Sequence, residues 1–197
     1  MTPTPRRAAI VVVGCSLGGL DALRRLLGGL PAGFPLPVAI VQHRAPDGGP
    51  LALLAAVSAL PVCEPADKQP LEPGVVYLAP ADYHLLVDGP HFALSTAPPV
   101  TMARPSVDML FESAADTFGP GVVAVVLTGA NHDGAAGAAR VKARGGVLIV
   151  QDPGEAAAPG MPAAAIAQTT PDAVLPIDAI ASALARRAAA EPGADRG

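Results

Sequence analysis

"VVVGCSLGGLDALRRLL", residues 11–27, decides how the chain is read. A β-branched run ends at Gly14. A turn follows, Gly14-Cys15-Ser16-Leu17-Gly18-Gly19, and then Leu20, Leu23, Leu26/Leu27 and Leu30 recur at helical spacing. Strand, glycine-rich turn and helix in succession open an α/β domain. The turn itself has three readings: a phosphate cradle, a nucleophile elbow, or a tight connection with a helix-capping serine.

Working outward, strand-like apolar runs alternate with helix-like stretches. The runs are "AAIVVVG" (8–14), "LPVAIVQ" (36–42), "GVVYLAP" (74–80), "GVVAVVLTG" (121–129) and "GVLIVQD" (146–152). Most are continuously apolar, as strands buried on both faces of a helix-covered parallel sheet must be. Helical patterns fall at 50–60, 106–118, 134–144, 161–168 and 177–190. The expectation is a doubly wound, three-layer α/β fold with a mostly parallel sheet. Short runs flank Asp88-Gly89, a hairpin turn signal, so an antiparallel hairpin is expected at one edge of the sheet. A single domain is expected over 1–197, with its core at about 8–187 and frayed ends from about Ala188.

Composition narrows the function. Hydrophobic residues are 51% and charged residues 15%, which fits a packed globule. A net charge of -4 with 3% aromatics provides neither a basic field nor stacking platforms, so nucleic-acid binding is disfavoured. Cys15 and Cys63 have no metal-ligand spacing and read as reduced thiols in the cytoplasm. Six apolar residues after "MTPTPRR" are too few for a signal sequence or a membrane span.

The dinucleotide fingerprint needs glycine where Ser16 stands, and no acidic residue ends the second strand, which closes with Gln42-His43. A P-loop needs Lys-Ser/Thr after its glycines, and none follows. Gly14-Cys15-Ser16-Leu17-Gly18 does satisfy G-x-S-x-G. There a sharp turn holds a serine hydroxyl at the carboxyl edge of a sheet, beside a helix N-terminus able to donate N–H groups to an oxyanion. An elbow after the first strand departs from the α/β-hydrolase order, in which several strands precede it.

Of four histidines, His43 follows a strand directly and belongs at the same sheet edge as Ser16. His132 competes as a base, while His84 and His91 read as solvated hairpin residues. Asp133 lies in the loop after another strand. It reads as the N-cap of the helix that follows and, compatibly with that, as the acid that orients His43.

"GCSLGG", "VQHRAP", "YLAPADYHLLV", "ARPSVDMLFESAA", "VLTGANHDGAAG" and "QDPGEAAAPGMPAAAI" occur in the order and approximate spacing of the CheB-type protein-glutamate methylesterase catalytic domain, which the chain resembles over about 8–187. The resemblance implies Ser16 as nucleophile, His43 as general base and Asp133 as its orienting acid. It implies hydrolysis of glutamate methyl esters on chemoreceptor helices with release of methanol, and in some members glutamine deamidation. The implied partner is a methyl-accepting chemoreceptor. No metal or cofactor is implied, and the location implied is cytoplasmic.

Around the triad, the resemblance places Leu17, Gly18, Gly129 and Ala130 near the oxyanion or substrate, with Arg104 and Met161 flanking the cleft. Arg104 reads equally as a substrate contact or as a surface ion pair with Asp108. Met161 reads as a cleft residue or as an apolar plug at a helix start. The family commonly has Thr where Leu17 stands, and a Met-Gly-Asn run where Ala130-Asn131-His132 stands. These departures support an alternative, a catalytically weakened member acting as a protein-binding module. The expected arrangement is a standalone esterase without a receiver domain, open or controlled by a separate regulatory protein.

Overall fold

Strand β1 (Ile10–Cys15), fully buried, runs through the middle of a seven-stranded sheet. The computed structural model describes residues 8–44 and 49–189. After β1 come α1 (Gly19–Gly28), β2 (Val38–Gln42), α2 (Leu51–Ala55), β3 (Val62–Cys63) and β4 (Val76–Leu78). A hairpin, β5 (His84–Asp88) and β6 (His91–Ser95), leads into α3 (Val107–Phe118). The chain ends with β7 (Val122–Val126), α4 (Ala135–Ala143), β8 (Val147–Gln151), α5 (Gly160–Gln168), β9 (Ala173–Leu175) and α6 (Ile177–Ala189). The strand order is β3-β4-β2-β1-β7-β8-β9, and each neighbouring pair is parallel.

Alternation along each strand feeds two cores. Val11, Val13, Ile40 and Val125 face α1 and α6 and pack with Leu23, Leu26, Ile180 and Leu184. Ile10, Val12, Ala39 and Ala124 face the other way and pack with Leu110, Phe111, Val141 and Ala165. This two-sided burial is why the strands read as unbroken apolar runs. α6 carries the first core to its end: Ala188, expected to fray, is buried. Ala189 is helical too, and the rest of the expected fraying concerns residues outside those described.

The hairpin forms as expected but makes a two-stranded sheet of its own rather than joining the edge of the main one. Side chains of α3 satisfy the outer backbone groups of β5. Val87 N–H donates to Ser113 Oγ at 3.1 Å, and Thr117 Oγ1 donates to Val87 O at 3.2 Å. Leu85, Val87 and Phe92 then enter the second core. The helix thus does for β5 what a neighbouring strand would do. β3 and β9, of two and three residues and only partly buried, lie in no continuous apolar run, so they leave no readable pattern in the sequence.

The direction of the chain changes between β1 and β7: one half of the sheet is built outward from β1, the other from β7. Crevices at the carboxyl ends of strands beside such a switch point are where α/β sheets bind ligands. The glycines of the opening stretch serve this junction. Gly14 lies against the start of α3, and a Cβ there would stand 2.2 Å from Val107 Cγ1. Gly18 adopts φ 77°, a left-handed conformation that admits glycine freely, as it begins α1. Gly14→Ala is expected to lower stability by about 1–3 kcal/mol through overpacking, read by urea denaturation; a loss below about 0.5 kcal/mol would mean that Val107 yields freely.

Candidate active site

Three strand ends are laced together around Ser16. Its N–H donates to Thr128 O beyond β7 at 2.9 Å, and its carbonyl accepts from Gly19 N–H at 2.8 Å. His43, the residue after β2, donates its N–H to Cys15 O at 3.1 Å. The Thr128 hydroxyl donates to Leu17 O at 2.9 Å and accepts from Ala158 N–H at 2.9 Å, while Thr128 N–H donates to Gln151 Oε1 at 2.8 Å. These bonds fix the elbow from both sides.

Asp133 is almost wholly buried. Its Oδ2 stands 2.7 Å from His43 Nε2 and accepts from Val107 N–H at 2.7 Å. Its Oδ1 accepts from the Ser106 hydroxyl at 2.8 Å and from Asp108 N–H at 3.1 Å. Burial pushes this carboxyl upward, but His43 and the donors at the start of α3 outweigh it and hold Asp133 below the usual carboxylate range. An ionised Asp133 makes His43 Nε2 the protonated nitrogen. Nδ1 is then left as the ring's acceptor, with Asn131 Nδ2 at 3.4 Å.

The capping reading of Asp133 is therefore half right. It caps α3, the helix that precedes it, rather than α4, the helix that follows. Ser106 occupies the N-cap position of α3 but turns its hydroxyl to Asp133. α4 is capped in return by Asp108, whose Oδ1 accepts from Gly137 N–H at 2.7 Å. Asp108 is raised to about 6, chiefly by burial and further by repulsion from Asp133 and Glu112, against the pull of the Gly137 and Gly134 N–H groups. It is thus unavailable to Arg104, which instead donates to Thr96 O and Ala97 O at 3.1 and 3.3 Å and stands 3.7 Å from Asp82.

A cleft of about 500 Å³ opens at this edge, lined by Ser16, His43, Arg104 and Asn131 among others. A second, of about 390 Å³, also borders Ser16 and His43 and is bounded by Leu17, Gly18 and Gln42. His132 is exposed on the first cleft and its ring makes no hydrogen bond to Asp133, whereas the His43 ring does. Met161 is buried, with its sulfur where a Cβ of Gly129 would lie, which is the apolar-plug reading. Gly129 supplies room rather than a donor: its N–H is taken by Ala158 O at 2.9 Å. Cys15 and Cys63 are free thiols, and burial pushes Cys15 far above the ordinary thiol range, leaving it unreactive. Among the described residues no cluster of acidic, His or Cys side chains could hold a metal ion, and no helix is long and apolar enough to cross a membrane.

Sequence reasoning missed His84. Expected to be solvated, it is fully buried. Its Nδ1 accepts from Ser106 N–H at 3.2 Å and its Nε2 lies 3.1 Å from Pro98 O. It thereby holds the residue that holds Asp133. Alternation along β5 sends Leu85 and Val87 into the core and puts His84 on the face of Leu86 and Asp88, so nothing local signals a buried histidine under a helix start.

A serine elbow, a histidine and a buried carboxylate at the switch point of a doubly wound parallel sheet define a serine-hydrolase type of α/β domain. The chain belongs to the CheB methylesterase family, whose model matches residues 11–184. It is 45% identical to the protein-glutamate methylesterase/protein-glutamine glutaminase 2 of Anaeromyxobacter dehalogenans over 91% of this chain and 54% of that protein. It is 38% identical to a Leptospira interrogans relative over 89% of this chain and 93% of that one. The chain thus spans nearly all of one relative and about half of the other. The crystal structure of the Thermotoga maritima CheB methylesterase catalytic domain superposes with a TM-score of 0.88 at 35% identity, covering 92% of this chain and 99% of that one. The fold expected from the sequence is the fold of this family.

Asp108 gives this site a signature in stability. Folded, it keeps its proton up to about pH 6; unfolded, it loses it near pH 4. Between those values the folded protein binds more protons, so this group's contribution to stability declines as pH rises. Asp108→Asn keeps the acceptor for Gly137 and removes the decline. Denaturation across pH 4 to 7 should show the variant gaining about 2 kcal/mol on the parent. A constant difference would mean that the burial of Asp108 imposes no cost.

Proposed function

We propose that this chain is a protein-glutamate methylesterase working through Ser16, His43 and Asp133. The observation that carries the reading is the 2.7 Å bond from His43 Nε2 to a buried, ionised Asp133, which leaves Nδ1 as a base in the cleft it shares with Ser16. Nδ1 takes the Ser16 proton as Oγ attacks the ester carbonyl, and Asp133 stabilises the imidazolium. The imidazolium returns the proton to the departing methoxide, methanol leaves, and a glutamyl ester on Ser16 remains. Water, deprotonated by Nδ1, releases free glutamate and regenerates Ser16. A glutamine amide at the same place would yield ammonia by the same steps. The Asn131 contact to Nδ1, long at 3.4 Å, is weak enough for the serine hydroxyl to replace.

The oxyanion donors are the N–H groups of Leu17, Gly18 and Ala130, which donate to no other acceptor among the described residues. Leu17 contributes its backbone here, since its side chain is 63% exposed and its carbonyl is held by Thr128. The loss of the family's threonine and methionine therefore leaves the donor groups in place, and the weakened binding module is not favoured. The substrate class is a methylated chemoreceptor, and the location that goes with it is the cytoplasm.

The reading is tested by following methanol release from a methylated receptor cytoplasmic fragment. Ser16→Ala and His43→Gln should each lower kcat by about 10⁴-fold or more, and Asp133→Asn by about 10³–10⁴-fold. Turnover that survives Ser16→Ala sinks the nucleophile assignment.

A further inference from the structure

Two large apolar side chains stand unprotected beside the catalytic pair. Leu17 is 63% exposed and Met102 is 98% exposed. They line two different clefts that meet at Ser16 and His43: Met102 the larger, Leu17 the smaller. Met102 is held out by an unusual turn. Val100 and Ala103 exchange backbone hydrogen bonds of 3.1 and 2.8 Å, and the two residues between them, Thr101 and Met102, have φ of 50° and 60°. Positive φ at both central positions is the pattern that Asn-Gly satisfies freely. A β-branched residue followed by methionine is strained there. Backbone strain of this kind persists at ligand clamps when the surroundings enforce it. The turn thus presents a flexible, polarizable side chain to solvent at the rim of a reaction cleft.

Resting on the esterase reading of Ser16 and His43, we propose that Met102 and Leu17 form a two-sided apolar clamp for the protein substrate. The substrate segment carries apolar side chains on both sides of the esterified glutamate, one against Met102 and one against Leu17, while the ester enters between them. The occupant is a segment of the substrate protein because a carbonyl brought to Ser16 Oγ has its flanking residues over both clefts. Arg44 and Arg104, which also line the larger cleft, are tied to Glu64 and Asp82. Selection by these two side chains is therefore by apolar contact rather than by net charge.

The test uses a synthetic peptide with one central glutamate methyl ester flanked on both sides by leucines, and its counterpart flanked by serines. With Ser16→Ala, which binds without turnover, the leucine peptide should bind about tenfold or more tightly than the serine peptide, as expected for covering one large apolar side chain. Adding Met102→Ser should erase part of that preference, and adding Leu17→Ser as well should erase most of it. In the active enzyme Met102→Ser should raise KM for the leucine peptide and leave kcat nearly unchanged. Equal affinity for the two peptides, or a preference undiminished by Met102→Ser with Leu17→Ser, overturns the clamp. Hydrolysis of both peptides at the same KM keeps the esterase and removes the clamp. Methionine-dependent binding without hydrolysis keeps the clamp and removes the esterase. Neither binding nor hydrolysis removes both.

Discussion

The carboxylate of Asp133 holds this molecule's site together. Buried ions cost several kcal/mol each unless they are fully hydrogen-bonded. Asp133 meets that condition through the first backbone N–H groups of α3, the Ser106 hydroxyl and the His43 ring. The positive end of a helix and a donor set aimed at one point keep it ionised in a dry setting. Without α3 in place, a charge at that depth would not persist. Without the charge, His43 would have neither a fixed tautomer nor a fixed orientation.

The same arrangement explains the pairing of α3 with α4. Each helix start is capped by an aspartate from the other's segment, Asp133 toward α3 and Asp108 toward α4. The exchange locks two elements that are distant in the chain, and it places two carboxylates close together. Asp133 takes the larger share of donors and stays charged. Asp108 takes the smaller share and is pushed up. Position at the helix end thus separates two aspartates that composition alone makes equivalent.

Glycine governs how closely the rest can approach. Val107 can sit over the end of β1 only because Gly14 has no side chain, and Val107 N–H is itself a donor to Asp133. The elbow, the helix start and the carboxylate are therefore a single packing problem. Thr128 closes it from the other side, tying Leu17, Ala158 and the end of β8 into the turn. Ser16 on this turn is held by hydrogen bonds from both sides while Leu17 and the Met102 turn stay open to solvent.

Period and order were legible in the sequence. Continuous apolar runs separated by helical spacing are dictated by burial on both faces of a sheet, so five strands, the helices and the hairpin could be read from residues alone. Ser16, His43 and Asp133 could be placed at one edge because each follows a strand, and in a parallel sheet every strand ends at the same edge. The two short edge strands, the independence of the hairpin and the buried state of His84 could not be read, because each depends on what packs against it. Nor could the direction of a cap: an aspartate before a helix looks the same whether its carboxylate serves that helix or one 25 residues earlier in the chain. Local chemistry fixes which groups a residue can bond. Only the tertiary structure decides which partners arrive, because hydrogen bonds and close contacts act over a few ångströms in space rather than along the sequence.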